Sequence, residues 1–308
     1  MVIEHLGIKL AVLATFIVGT TFIHFRGTAR FRFKRQLTDH STVMAPYNAF
    51  VYLRSAVPNR PMQDVASIPE LKILRDNWQV LREEAVALFE QGNIRPSDGT
   101  NDLAFNSFFR KGWTRFYLKW YADYLPSAMK YAPRTVEILK QVKAVKAAMF
   151  VVLAPHSELG PHRDPFAGSL RYHLGLVTPN SDQCRIYVDG NMYSWRDGQD
   201  VLFDETYIHW AHNETDQHRI ILFADIERPL KDPLSRAINR LFARIAVASA
   251  ASRNFPDEKL GALNHVFSYI YSIRRLGKWM KAKNQRLYYA IKYALLLALA
   301  YWIFAPTS

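Results

Sequence analysis

The chain has 308 residues, 49% of them hydrophobic, and a formal charge of +13 from 40 Lys+Arg against 27 Asp+Glu. That length fits one catalytic domain with decorations better than two independent domains. The single cysteine, Cys184, excludes an intrachain disulfide framework and cysteine-based zinc sites, and it is consistent with a reducing cytoplasm; the basic excess is tied to apolar runs without a recognition motif, which argues against nucleic-acid binding.

Residues Leu10 to Phe25 are almost wholly apolar. A hydrocarbon core needs roughly 20 residues of helix, so this run reaches spanning length with Ile8, Lys9 and Arg26 near the interfaces, where lysine snorkels. No small-x-small cleavage site follows. Arg26, Arg30, Arg32, Lys34 and Arg35 follow instead, so residues 1–28 are expected to be a retained transmembrane anchor and not a signal peptide. A helical flanking region is expected over 29–146. Within it Ser67-Ile68-Pro69-Glu70 reads as a capping box, and Leu71, Leu74, Trp78, Leu81, Ala85 and Leu88 recur at helical spacing until Gly92. The stretch Phe108 to Tyr124 is dense in aromatics among Arg110, Lys111, Arg115 and Lys119. It reads either as a packed helix with a basic outer face or as the lining of an entrance for an apolar chain.

From Ala147 the period changes. Short β-branched or aromatic runs at 148–153, 170–177, 184–188, 200–204 and 219–226, separated by Pro, Gly, Asn and Asp clusters, predict a small antiparallel sandwich or jelly roll over 147–230. After Pro229 the helical pattern returns, with Leu234, Ile238, Leu241, Ile245 and Val247 on a face that packs on the sandwich or lies on a bilayer. This basic, amphipathic region, 231–286, ends in Arg274, Arg275, Lys278, Lys281, Lys283 and Arg286. An apolar run from Leu287 to Phe304, broken by Lys292, then predicts a second anchor over 287–308, with a buried or interfacial helix as the alternative. Basic flanks of both runs put the middle of the chain in the cytoplasm and both termini outside, and they attract anionic headgroups at about 1 kcal/mol per charge.

Six of the ten histidines (His156, His162, His173, His209, His212 and His218) fall in the β-rich region. In extended chain, His162 and Asp164 share a face across Arg163. With His209 near the end of a later strand they form the pattern of two histidines and one carboxylate that holds non-haem iron(II) and leaves three coordination positions open. The alternative for Asp164 is that it orients Arg163 or a bound water. Arg219 opens the run Arg219-Ile220-Ile221-Leu222-Phe223, where a guanidinium can grip the far carboxylate of a 2-oxo acid; otherwise it is a strand-edge arginine paired with Asp216 or Asp225. His156, His212 and His218 are read as loop or supporting residues, and Asp204, Glu205 and Asn213 as turn formers. Trp195, Trp210 and Tyr207 either close the pocket or pack the core. No nucleophile elbow or phosphate loop is present.

The run from Val151 to Leu230 resembles the aspartyl/asparaginyl β-hydroxylase family. The resemblance rests on Gly160-Pro161-His162-Arg163-Asp164-Pro165, Leu170-Arg171-Tyr172-His173-Leu174-Gly175-Leu176, Phe203-Asp204-Glu205-Thr206 up to His209, and Arg219 to Phe223. It covers about 80 of the 308 residues, while the flanks, including Lys111-Gly112-Trp113 and the terminal runs, look like the bacterial lipid A hydroxylase branch. The resemblance implies a double-stranded β-helix (jelly roll) core in an α+β chain, with flanking helices and terminal membrane-spanning helices. It implies iron(II) bound by His162 and His209, 2-oxoglutarate and O2 as cosubstrates, Arg219 as the main 2-oxoglutarate anchor, and Arg171 and His173 as secondary contacts. Two departures stand out. The peptidyl hydroxylases carry glycine and a water where this chain has Asp164, so a full His162, Asp164, His209 metal set is expected here, and Val151 stands where the family has a cosubstrate-binding serine. The implied activity is 2-hydroxylation of a secondary acyl chain of lipid A at the bacterial inner membrane, with the catalytic domain facing the cytoplasm and a membrane lipid and the bilayer as partners. Alternatives are an ornithine-lipid acyl hydroxylase, a peptidyl Asp/Asn β-hydroxylase, and a membrane-anchored jelly roll that binds a ligand without turnover.

Overall fold

A computed structural model describes residues 2–304 apart from 38, 97–101, 103, 104, 106, 107, 122 and 260. The side chains of Arg274 and Arg275, part of the basic flank, and the chain end at 305–308 lie outside the described residues. Helix α1 (Val2–Phe25) is followed by the short helices α2 (Phe33–Gln36) and α3 (His40–Val43) and by α4 (Ala45–Arg54), which pack against its last turns. Gly19 permits that approach, since a Cβ there would lie 3.2 Å from Ala45. Before Gly19 the helix turns Ile8, Leu10, Val12, Leu13, Ile17 and Val18 to the outside, whereas Thr20, Ile23 and His24 are buried. Among the described residues, Gly7–Phe25 is the one stretch long and apolar enough to cross a membrane.

Strand β1 (Met62–Gln63) leads to helices α5 (Lys72–Asp76) and α6 (Trp78–Glu90). The expected apolar stripe is real: Leu71, Leu74, Leu81, Ala85 and Leu88 are buried. The capping box is not. Ser67 donates its hydroxyl to the Asp64 carbonyl, and Glu70 accepts from the backbone N–H of Ala144, just ahead of β4, so neither side chain closes on the helix start. The helix is also broken at Asn77, and it ends as predicted at Gly92, which takes φ +68°.

The aromatic stretch, read either as a packed helix or as the lining of an entrance, is mainly strand, β2 (Trp113–Trp120) followed by β3 (Asp123–Tyr124), which removes the helix reading. Most of β2 is buried on both faces, with Phe116 and Leu118 toward the helices and Trp113, Tyr117 and Trp120 toward the interior. Gly112, at φ +76°, makes the turn into it, and a side chain there would collide with Ser157. Helices α7 (Pro126–Tyr131) and α8 (Pro133–Lys140) then cover the outer face.

Eight strands follow: β4 (Val145–Leu153), β5 (Ser157–His162), β6 (Ser169–Val177), β7 (Cys184–Val188), β8 (Asn191–Ser194), β9 (Asp200–Phe203), β10 (His209–Asn213) and β11 (Arg219–Glu227). Among the described residues they contribute to a seven-stranded sheet ordered β1-β9-β6-β11-β4-β2-β3 and a four-stranded sheet ordered β5-β10-β7-β8. Every pairing is antiparallel. The chain passes between the sheets after β4, β5, β6, β8, β9 and β10, which is the winding of a jelly roll. Period-two alternation divides the larger sheet: Phe150, Val152, Leu174 and Leu222 pack outward on α5, α6 and α8, while Met149, Val151, Ile221 and Phe223 pack inward against Cys184, Ile186 and Val188. Each such buried side chain contributes about 1.5–3 kcal/mol.

The chain ends in α9 (Pro233–Phe242), a π turn at Ala243–Val247, α10 (Ala262–Lys283) and α11 (Gln285–Phe304). Helix α11 exposes Leu287, Leu295 and Leu297.

Candidate metal and cosubstrate site

Antiparallel register brings the two histidines together. Strand β10 pairs with β5 so that His209 lies opposite His162, their ring centroids 4.2 Å apart. Each ring is held by its own backbone. Nδ1 of His162 is 2.8 Å from the Gly160 carbonyl oxygen, and Nδ1 of His209 is 3.0 Å from that of Tyr207. A carbonyl only accepts, so both Nδ1 atoms carry the proton and both Nε2 lone pairs are free to bind a metal. Burial lowers the pKa of His162 and brings that of His209 down to about 3, which keeps both rings neutral as ligation requires. One ligand atom from each of His162, Asp164 and His209 lies within 4.8 Å of the others. The three sequence-predicted metal residues therefore converge, and the donor set of two imidazoles and one carboxylate fits non-haem iron(II).

Asp164 does not orient Arg163. The Arg163 guanidinium turns away, toward the Phe31 ring and the Ile23 carbonyl. Asp164 accepts instead from Arg171 Nη2 at 2.9 Å. Burial opposes ionisation of Asp164, but Arg171 foremost outweighs it and holds the carboxyl below its ordinary pKa. Arg171 was expected to reach the cosubstrate. Its guanidinium also lies against Glu205 and pairs through Nε with Asp225 at 2.9 Å, so those two nitrogens serve carboxylates. Glu205 is further held by the Ser169 hydroxyl and Asp225 by the Tyr121 hydroxyl. Burial pushes both Glu205 and Asp225 up, so Asp164 is the member of the cluster whose negative charge is best stabilised.

Arg219 pairs with neither alternative partner: Asp225 is taken by Arg171, and Asp216 lies 2.8 Å from His156 Nε2. Arg219 is 2% exposed and its guanidinium sits 4.3 Å over the Trp195 ring. Burial lowers its pKa to about 10. Its Nε, both ring nitrogens of His173 and Nε1 of Trp195 are buried without a hydrogen-bond partner. A buried cation and several donors with no described acceptor are costly unless a ligand completes them. His173 stacks on Phe223, and its pKa is depressed by burial and then by the nearby Arg219. His162, Asp164, His209, His173, Arg171 and Arg219 all line one cavity between the sheets. That arrangement fits a dicarboxylic keto acid reaching from the metal ligands to the guanidinium. Val151, in place of a serine, is fully buried in the inner core and offers such a ligand nothing.

His156 and His212 lie beside exposed acids and His218 packs on Phe89. Asn213 does tie a turn, through Thr215 and Gln217. Asp204 makes a turn but is also fully buried between Arg26, at 2.5 Å, and Arg228, at 2.7 Å, and so joins α1 to the barrel. Trp195 closes over Arg219, Trp210 stacks on Tyr187, and Tyr207 underlies Arg26. Glu205 and Asp225 were not singled out as site residues. For Asp225 a signal existed, since it shares the inward phase of β11 with Arg219, Ile221 and Phe223 and is an acid inside an apolar strand.

Comparison with known proteins places this site in context. The family described as aspartyl/asparaginyl beta-hydroxylase matches residues 75–229. An ornithine lipid ester-linked acyl 2-hydroxylase of Rhizobium tropici is 30% identical over 210 residues, covering 67% of this chain and 72% of that protein. The aspartyl/asparaginyl beta-hydroxylase of Homo sapiens is 26% identical over 174 residues, 54% of this chain but only 22% of that protein. Human aspartate beta-hydroxylase domain-containing protein 2 is 28% identical over 170 residues, 52% of this chain and 45% of that protein. With the family matched across half its length, and with the relative from Rhizobium tropici covered by more than two thirds, the chain belongs to the aspartyl/asparaginyl β-hydroxylase family.

Proposed function

We propose that the protein is an iron(II)- and 2-oxoglutarate-dependent dioxygenase that hydroxylates an acyl chain of a membrane lipid. The observation that carries this reading is the pairing, in one cavity, of the His162, Asp164, His209 cluster with the uncompensated buried cation Arg219. When bound, the iron supplies the oxygen activation that couples decarboxylation of 2-oxoglutarate, giving succinate and carbon dioxide, to insertion of the second oxygen atom into a C–H bond. The residues do the rest. His162 and His209 present neutral Nε2 atoms, Asp164 adds a negative charge steadied by Arg171, and Arg219 grips the far carboxylate of the keto acid. Phe108, Trp113 and Phe223 give the cavity an apolar wall beside its polar groups, which suits an unactivated chain.

The lipid part of the reading rests on α1 as an anchor, its basic flank, and the relatives. Lipid A is the first candidate, from the resemblance to the lipid A hydroxylase branch. Ornithine lipid is a second, and the named activity of the Rhizobium tropici relative favours it. The protein is assigned to the bacterial inner membrane with the jelly roll on the cytoplasmic side. Mass spectra of lipid A and ornithine lipids, taken from cells with and without the gene, test this directly. The expected result is a gain of one oxygen atom on an acyl chain of lipid A. A gain confined to ornithine lipids selects the second candidate, and no gain in any lipid contradicts acyl hydroxylation.

Arg219→Ala is expected to raise the 2-oxoglutarate requirement more than it lowers the maximal rate. Losing the partner of a buried charge costs about 2–5 kcal/mol, which is about 30-fold or more in affinity. Steady-state succinate formation against 2-oxoglutarate concentration reads this split, and an unchanged KM contradicts the assignment.

A further inference from the structure

Helix α9 is built inside out. The residues it buries are polar: Ser235 and Asn239 are each 2% exposed. Ser235 bonds Asp232, and Asn239 donates to the Gly168 carbonyl and accepts from the Tyr47 hydroxyl. Its outward stripe is apolar, with Leu234 70%, Ile238 39%, Leu241 59% and Ile245 66% exposed. At roughly 100° per residue Leu234, Ile238 and Leu241 fall on one line, which the exposed Ile245 of the π turn extends, and Arg236 and Arg240 form a second line beside it. A water-facing helix has the opposite pattern. A helix lying in a membrane interface has this one, with leucine and isoleucine below and arginine at the rim.

Its neighbours share the character. Arg54 at the end of α4 pairs with Asp232 at the start of α9 at 2.6 Å. Near this junction Leu53 is exposed, and Val43, Phe33 and Leu37 are exposed on the elements around α3. The depth of α1 points the same way. Its apolar window runs from Gly7 to Phe25. Phe25 lies six helical steps beyond Gly19, about 9 Å of helix, and Ala45 of α4 touches Gly19. A bilayer that contains this segment therefore reaches the helices packed on its last turns.

The geometry points to a second membrane contact: the outward face of α9 and its π turn, continuous with the exposed apolar residues of α3 and α4, lies in the headgroup–acyl boundary of an anionic bilayer. This inference rests on the reading of α1 as an anchor. It also seats the metal strand near the lipid. Arg35 donates to the Pro161 carbonyl at 2.9 Å, and His40 Nε2 lies 2.6 Å from the Arg163 carbonyl, so α2 and α3 flank His162 directly. An acyl chain would reach the site from a body sunk in its own leaflet.

The only native cysteine, Cys184, is buried, so a single introduced cysteine can carry an environment-sensitive fluorophore. The full chain bearing Leu234→Cys, Ile238→Cys, Val18→Cys on α1 or Glu137→Cys on α8 is reconstituted in vesicles of phosphatidylethanolamine and phosphatidylglycerol, with and without a doxyl quencher near the headgroup. Labels at Leu234→Cys and Ile238→Cys should be blue-shifted and quenched several-fold more than at Glu137→Cys, and less so when phosphatidylcholine replaces the anionic lipid. Labels that match Glu137→Cys while Val18→Cys is quenched overturn the platform and leave the anchor standing. Absence of quenching at Val18→Cys as well overturns both. Shielding that ignores the quencher and grows with the protein-to-lipid ratio assigns the face to a second copy of the chain and overturns the bilayer assignment.

Discussion

His162→Ala and His209→Ala are each expected to reduce succinate formation to the background of a reaction without enzyme. The two rings come from paired strands, with Nε2 of each free, and no other described histidine belongs to the cluster: His173 lines the same cavity but is stacked on Phe223 on the opposite sheet. Both variants should remain folded. The one side-chain hydrogen bond of each ring is to a backbone carbonyl of its own strand or turn, Gly160 for His162 and Tyr207 for His209, so an unaltered circular dichroism spectrum with lost turnover is the signature of a ligand role. Turnover within a few-fold of the parent in either variant contradicts the assignment.

Arg171→Leu is the second large effect, and it is expected in stability as well as activity. Arg171 is 5% exposed and is the cation shared by Asp164, Glu205 and Asp225. Removing one partner of a buried ionic cluster costs about 3–5 kcal/mol, because the remaining charges stay desolvated without compensation. Chemical unfolding of the purified protein in detergent should show that loss, together with weakened iron binding as Asp164 loses the bond that aims it. Adding Glu205→Gln and Asp225→Asn to Arg171→Leu should recover much of the stability by neutralising the orphaned acids, but not the activity. A stability change near that of a surface substitution, about 0.5 kcal/mol or less, contradicts this account of the cluster.

The parts of the fold legible in the sequence were those with a simple period. Strands β4, β6, β7, β9 and β11 were each marked by an apolar run bounded by turn residues, and the metal set by two histidines and an acid in extended chain. Strands β5 and β8 were missed because they are the edges of the four-stranded sheet and carry mostly polar residues. Strand β10 was hidden by its own chemistry, as His209, Trp210, His212 and Asn213 leave it no apolar run. Strand β2 failed for the opposite reason: buried on both faces, it reads as continuous aromatic sequence that periodicity cannot tell from helix. Of the carboxylates around Arg171, Asp225 is marked by its inward phase on β11, but its partner is set only by the register of β6 and β11, and Glu205 is beyond reach from spacing because it approaches only through the register of β6 and β9. The capping box failed because Asp64 had already capped the preceding turn.

In the proposed site His162, Asp164 and His209 hold one iron(II) whose keto-acid partner is anchored by Arg219. The most direct measurement is anaerobic titration of the full-length protein with iron(II) and then 2-oxoglutarate, followed by the visible charge-transfer absorption of an iron(II)–keto-acid chelate. This band is expected at one iron per chain, is expected to be absent in His209→Ala, and should need more 2-oxoglutarate in Arg219→Ala. No band in the parent protein, or an undiminished band in His209→Ala, would contradict the proposed site.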